Sequence, residues 1–136
     1  MMTPAQVGAL TTTQIASLTS TDLQVLSSAQ AARLSTAQIN AISSAAIVDI
    51  SSAAIAAMAA DISTTQIALL VASQLSTGSL NAFVSTQLQA VSTADIGALT
   101  SVEVAGLSST ALNNLSSAQL QAITTHDIAA LTTGQV

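Results

Sequence analysis

The sequence predicts an all-α fold: an α-solenoid of short capped helices, one for each eight-residue repeat. The octad S-T-A-Q-I-N-A-I, residues 35–42, recurs with variations along nearly the whole chain. Its first residue is Ser or Thr and its fourth is usually Gln, Asp or Glu, which is the capping-box pattern of a helix start. Its large apolar residues, at positions five and eight, are three apart and therefore share one face of a helix.

The repeats divide the chain into three stretches of a single solenoid domain. Octads run without a gap through residues 3–50 and again from residue 76 to the end of the chain, where the last one stops at its fifth position. That ending is typical of a piece of a longer array. Residues 51–75 break the register, and we expect two longer helices there, Ser51–Ile62 and Ser63–Leu75.

Two alternatives to the short helix are disfavoured. A continuous strand would point positions five and eight to opposite faces, and the frequent Ala at positions three and seven favours helix. In one continuous helix an octad makes about 2.2 turns, so its apolar stripe would drift by roughly 80° per repeat. Each helix is far below the ~12–15 residues of a marginally stable isolated helix, so neighbouring repeats must hold it.

An alternation in residues 3–50 indicates how many helices form one coil. Position seven changes between apolar and polar with a period of sixteen residues, while position six changes in the opposite sense. This alternation favours two helices per coil, which would place Arg33 beside Asp49.

Composition excludes several classes of partner. The net charge is −5 and Arg33 is the only basic residue besides His126, so a row of nucleic-acid or lipid phosphates could not be neutralised. The absence of Cys removes disulfides and thiol chemistry. We expect no membrane span, because the longest apolar run, Ala53–Ala60, is far below the ~20 residues required. The first residues show no signal-peptide pattern.

The ionisable residues predict no catalytic, cofactor-binding or metal site, and we expect that the protein is not an enzyme. His126 is next to Asp127, but adjacent residues of a helix do not face each other. Phe83 is expected to fill the enlarged gap at the register break, and Asp61 has no evident role. The remaining carboxylates at position four complete capping boxes and meet the helix dipole: Asp22, Asp95, Glu103 and Asp127.

The paired hydroxyls at positions one and two are the one repeated surface feature. The first is expected to cap the helix and the second to be solvated. The alternative is a regular hydroxyl array that binds an ordered surface such as ice or a glycan, although Ser and Thr interchange freely here.

The octads S-T-A-Q-I-N-A-I, S-S-A-Q-L-Q-A-I and T-T-H-D-I-A-A-L resemble the L-T/S-T-x-Q-I/V-x-A-L arrays of very large bacterial repeat proteins. Some of those proteins are labelled secreted adhesion or haem-utilisation exoproteins. The resemblance implies a structural or adhesin-like spacer, outside the cell or on its surface, whose partners are further repeats or a second copy bound end to end. It carries over no functional residue, and haem gains no support because His126 is the only His and Tyr and Cys are absent.

Overall fold

A computed structural model describes residues 1–135 and confirms the all-α solenoid of short helices. Within this range there are fifteen α-helices and one 3₁₀ turn, and no strand. The helices are α1 Pro4–Gly8, α2 Thr12–Ala16, α3 Ser20–Gln24, α4 Ser28–Ala31, α5 Thr36–Ala41, α6 Ser44–Ile47, α7 Ser52–Met58, α8 Thr64–Ile67, α9 Thr77–Ala82, α10 Ser85–Ala90, α11 Thr93–Gly97, α12 Ser101–Gly106, α13 Ser109–Asn114, α14 Ser117–Ala122 and α15 Thr125–Ile128; the 3₁₀ turn is Ala72–Gln74.

Capping boxes begin most of the helices, as predicted. Asp95 and Asp127 do not complete one, because each carboxylate accepts the hydroxyl of its cap residue and not the cap residue's backbone N–H. Ser35 has extended backbone angles (φ −76°, ψ 161°), and its hydroxyl accepts the N–H of Gln38. The Gln38 Oε1 atom accepts the Ser35 N–H in return, at 2.7 Å. Val84 lacks a hydroxyl, yet Gln87 Oε1 still accepts its N–H at 2.9 Å. Each octad therefore stops one helix at an extended cap residue and starts the next.

Three helices form one coil. In the first block α1 packs on α4, α2 on α5 and α3 on α6; in the last block α10 packs on α13, α11 on α14 and α12 on α15. Packed partners are three octads apart, so one coil takes 24 residues, three times eight. The solenoid has three sides, with the side chains of positions five and eight in its core.

The prediction of a two-helix coil is wrong, and with it the expected stacking of Arg33 on Asp49. The helix before Arg33, α4, packs on α1 and α7 rather than on α6. The alternation does not indicate the number of helices per coil, because the residues that form it are exposed at positions six and seven. They include Gln24, Val25, Arg33, Asn40 and Asp49. Their polarity is not constrained by the packing between coils.

The register break contains one longer helix, not two. The first, α7, is the longest helix among the described residues and packs on α4 on one side and on both α9 and the 3₁₀ turn on the other. The expected second helix stops after α8, because Ser63–Leu70 is itself an octad. Gln66 completes the capping box of this octad with Ser63. Gln74 then accepts the N–H of Val71 at 3.1 Å and starts a separate short turn.

Apolar burial is concentrated at positions five and eight. Ile39, Leu88 and Ile96 are each 1% exposed, and Phe83 at the register break is 4% exposed. Val7 is as deeply buried in the first coil as these residues are in later ones. No helix within residues 1–135 is long and apolar enough to cross a bilayer.

Two glycines allow neighbouring coils to approach closely. A Cβ atom on Gly97 would lie 3.0 Å from the carbonyl oxygen of Ala122, and one on Gly8 would lie 3.0 Å from that of Arg33. Both neighbours are backbone atoms of the helix unit one coil later, so neither can rotate away. At these two sites, the absence of a side chain at position six allows the backbones of successive coils to approach closely.

We expect Gly97→Ala to lower the free energy of unfolding by about 1–3 kcal/mol, because the added methyl overpacks the contact with Ala122. Gly78→Ala is the matched control, since its Cβ would meet only the Ser76 hydroxyl at 3.6 Å. That control should be stabilised by up to about 1 kcal/mol through helix propensity. Urea unfolding of both variants measures the difference, and equal behaviour would contradict the close contact.

Candidate functional site

The most repeated polar feature of the structure is a row of glutamines at position four, which we call the glutamine row. In each, Oε1 accepts a backbone N–H at the start of its own unit, while Nε2 donates to backbone carbonyls one coil earlier. In Gln119 the Nε2 atom lies 2.7 Å from the Leu88 oxygen and 2.8 Å from the Val91 oxygen. Its Oε1 accepts the Ser116 N–H at 2.9 Å, and the side chain is 1% exposed.

The same arrangement recurs through the chain. Gln87 donates to Ala59 and Ile62, and Gln74 donates to Ile47 and Ile50. All of these carbonyls lie at the end of a helix, where the last backbone oxygens lack intrahelical donors. The members of the row are Gln30, Gln38, Gln66, Gln74, Gln87, Gln119 and Gln135.

The spacing of these bonds measures the length of each coil. Gln38 reaches Leu10 and Gln119 reaches Val91, in both cases 28 residues earlier. At the register break, Gln74 reaches Ile50 only 24 residues earlier. The coil that contains α7 is therefore four residues shorter than a coil of three octads, and the glutamine row continues across it.

The sequence predicts the hydrogen bond that Oε1 of each glutamine accepts within its own unit, but not the hydrogen bonds that Nε2 donates to an earlier coil. We assigned position four to the local capping box, which Glu fills as well as Gln. Glu would also gain from the helix dipole. The recurrence of Gln rather than Glu was the available signal, because only the amide supplies an N–H donor.

Two of the position-four carboxylates join coils in the opposite sense, as acceptors. Asp95 accepts the backbone N–H of Ala72 at 2.9 Å, and Asp127 accepts the Ser101 hydroxyl at 2.8 Å. The hydrogen bond from the Thr124 hydroxyl, followed by that from Ser101, lowers the pKa of Asp127. Hydrogen bonds from the Thr19 backbone and hydroxyl lower the pKa of Asp22 in the first coil.

Asp61, to which the sequence assigned no role, has a partner in the structure. Its Oδ1 atom accepts the hydroxyl of Thr36 at 2.6 Å, from 25 residues away. The end of the α7 unit is thereby tied to the start of α5. Asp61 therefore forms a hydrogen bond between coils, as Asp95 and Asp127 do.

The other residues considered for chemistry lie apart. His126 is exposed in α15, whereas Asp127 beside it is 6% exposed and accepts its hydrogen bonds from hydroxyls. Arg33 and Asp49 are exposed as well. Among residues 1–135 there is no group of three or more His, Cys, Asp or Glu that could hold a metal ion. In the same range every buried side-chain nitrogen or oxygen has a hydrogen-bond partner.

The hydroxyls differ in availability between positions one and two. Hydroxyls at position one accept a hydrogen bond from the backbone N–H of position four, as those of Ser35 and Thr124 do. At position two, Thr12 and Thr64 are exposed, whereas the Thr36 and Ser101 hydroxyls bond to carboxylates of another coil. Free hydroxyls therefore occur on the surface, but they do not form an unbroken set.

Concave apolar surfaces lie at both ends of the solenoid. One, of about 500 Å³, is lined by residues of the first coil together with Met1, Met2 and Gln30. Another, of about 310 Å³, is lined by residues between Leu112 and Gln135. A third, of about 420 Å³, lies beside the register break, between Asn40 and Leu69.

A comparison with known families matches residues 101–136 to a model described as the ALTTAQ repeat. The match covers the part of the chain that runs from α12 to the end. This part of the chain is therefore similar to a repeat family, in agreement with the octads. Neither a search of curated proteins nor one of solved structures gives a match.

Replacing Gln119 by Glu should test the long-range half of the glutamine row. Glu keeps the box acceptor but directs a carboxylate at the oxygens of Leu88 and Val91, so we expect a loss of about 2–5 kcal/mol of stability. The matched control is Gln14→Glu in the first coil, unfolded at a concentration where the chain is monomeric, because within residues 1–135 Gln14 makes only the box to Thr11. It should be neutral or slightly stabilised by the helix dipole. Similar losses in both variants, measured by urea unfolding, would contradict the role of Nε2.

Stability should also depend on pH in the acid range. Because the pKa values of Asp22 and Asp127 are lowered in the folded state, their contribution is present above the unfolded value near 3.8 and is lost as the pH falls below it. We expect the thermal midpoint to be flat above about pH 5 and to fall below about pH 4.

The variant Asp127→Asn should show a smaller fall between neutral and acid pH than the parent chain. Asp49→Asn, which changes an exposed carboxylate outside position four, is the control and should behave like the parent. Circular dichroism melts at several pH values provide the measurement. An unchanged acid transition in Asp127→Asn would refute the assignment.

Proposed function

We propose that this chain is a non-catalytic structural module, a stiff spacer of the adhesin-like type that acts outside the cell or on its surface and associates end to end. The observation that carries the proposal is the glutamine row, whose seven members between Gln30 and Gln135 bond their coil to the one before it. In α11, where the row has no member, Asp95 accepts a hydrogen bond from Ala72 of an earlier coil. Because each coil contacts its neighbours along the stack, bonds between coils favour a stack that resists bending along its axis.

The proposal includes no catalytic role, because the ionisable side chains serve as caps and joints. Asp95, Asp127 and Asp61 accept hydrogen bonds from other coils. His126 is exposed beside Asp127, whose carboxylate is already bonded to the hydroxyls of Thr124 and Ser101. The observed use of these groups supports a role that resides in the length and surface of the array.

The proposed extracellular setting rests on the resemblance of the octads to bacterial surface arrays and on the chain's chemistry. Lys is absent and Arg33 is the single Arg, so trypsin-like proteases have one site. A spacer exposed to secreted proteases gains from such a composition. Antibody labelling and protease treatment of intact cells that make the parent protein would test the location, and signal from lysed cells alone would contradict it.

Stiffness is tested by joining two and three copies of the chain and measuring their maximum dimension by small-angle X-ray scattering. With about 8–10 Å between packed helices, each copy of five to six coils should add roughly 40–60 Å. A flexible tether would instead lengthen with the square root of residue number. Copies joined through a long Gly/Ser linker are the control, and equal scaling of both series would contradict a spacer.

A second candidate is a hydroxyl-array surface that binds ice or a glycan. The exposed position-two hydroxyls of Thr12 and Thr64 favour it. The bonds that occupy the Thr36 and Ser101 hydroxyls weigh against it. Inhibition of ice recrystallisation or binding to a glycan array would support this candidate, and inactivity in both assays would exclude it.

A further inference from the structure

We propose that the first coil of one copy stacks on the last coil of a second copy, with unused amide donors of one bonding unused carbonyls of the other. This inference rests on the end-to-end association in the proposed function and names its chemistry, its polarity and its residues. We call the two surfaces the N-end face and the C-end face.

The N-end face is defined by Gln6, Gln14, Leu10, Leu18 and Val25. Gln6 and Gln14 occupy position four, and their Oε1 atoms close capping boxes at 2.8 and 2.9 Å. Within residues 1–135 their Nε2 atoms have no acceptor, whereas Nε2 of the corresponding glutamines in later coils bonds carbonyls. Leu10 and Leu18, at position eight, are only partly buried and line the concavity of about 500 Å³.

The C-end face is defined by Leu112, Leu115, Leu120, Ile123 and Ile128. Leu120 and Ile128, at position five, are 42% and 49% exposed, whereas position-five residues inside the solenoid are almost fully buried. The carbonyls of Leu120 and Ile123 correspond to those of Leu88 and Val91, which bond Gln119. All of these residues except Leu115 line the concavity of about 310 Å³.

The two faces are the two halves of the contact that joins coils inside the chain. Exposed position-five side chains mark the C-end face, and position-eight side chains with position-four donors mark the N-end face. Continuing the 28-residue spacing of the glutamine row, Gln14 of the second copy would bond Leu120 and Ile123. Gln6 of the second copy would bond Leu112 and Leu115 in the same way.

The first coil follows the same octad register as the later ones. The Met2 carbonyl accepts a hydrogen bond from Gln30, 28 residues on, as expected for a residue at position eight.

The contact is heterologous, because each copy contributes a different face. Such contacts do not close into a symmetric dimer and instead produce open linear assemblies. A head-to-head contact would leave the carbonyls of the C-end face without donors. A tail-to-tail contact would leave the donors of the N-end face without acceptors.

Sedimentation velocity over a wide concentration range tests the association of the 136-residue chain. We expect the average mass to rise continuously with concentration, and Gln14→Glu to weaken association about tenfold or more, because the donor is replaced by a carboxylate facing carbonyls. Gln24→Glu is the matched control: it adds the same charge in the same coil, at an exposed residue outside the concavity. A strict monomer, or equal weakening by both variants, would overturn the proposal.

Mixing two blocked variants tests the polarity. Gln6→Glu/Gln14→Glu blocks the N-end face and Leu120→Glu blocks the C-end face, so each alone should be monomeric while their mixture forms a one-to-one complex. Association of the first variant alone would indicate tail-to-tail contact, and association of the second alone would indicate head-to-head contact. Either result, or the absence of a complex in the mixture, would overturn the inference.

These outcomes are separable from the spacer function. Far-ultraviolet circular dichroism verifies that each variant remains helical; should Leu120→Glu unfold, Ile128→Glu, at an equally exposed position, replaces it. Scattering on a single copy of the Gln6→Glu/Gln14→Glu variant, which should be monomeric, measures the length and stiffness of the chain without any contact between ends. A stiff chain that stays monomeric would refute only the end-to-end contact, whereas a flexible chain would refute the spacer.

Discussion

The structure depends on one interaction, the two-sided hydrogen bonding of a buried glutamine. A helix of four to seven residues leaves most of its first N–H groups and last carbonyls without intrahelical partners. The position-four amide supplies an acceptor to the cap of its own helix and donors to the end of a helix one coil earlier. In Gln87 and Gln119 this happens with the side chain at most 6% exposed, where an unpaired polar group would cost most.

This interaction also explains how such short helices are held without a large core. The core consists of Ile, Leu, Val, Ala and Met with a single Phe, and most octads contribute two large apolar side chains to it. The glutamine row adds directional bonds that fix the stagger of one coil on the next, which dispersion between aliphatic side chains alone would leave loose. Asp61, Asp95 and Asp127 do the same with reversed donor and acceptor roles.

The sequence predicted what is local and missed what is long-range. Capping boxes, helix starts and the buried positions five and eight follow from residues three or four apart, as in Ser35 and Gln38. The number of helices per coil does not, because exposed residues such as Arg33 and Asp49 carry no information about stacking. The interruption after α8 was missed because the polar Ser73 and Gln74 were included in a helix, although Gln74 closes on Val71 and starts a new unit. The glutamine row could not be predicted because a single amide group performs both the local capping role, which already accounts for it in the sequence, and the long-range role.

A coil of three octads has a geometric consequence for arrays of different length. One added octad moves the chain from one of the three sides of the solenoid to the next, so every residue that follows changes its azimuth around the solenoid axis. Three added octads restore the azimuth and change only the distance along the axis. The four-residue shortening around α7 likewise alters the phase between residues 3–50 and residues 76–135. Repeat number in such an array therefore sets both how far a surface group stands from its anchor and the direction in which it points.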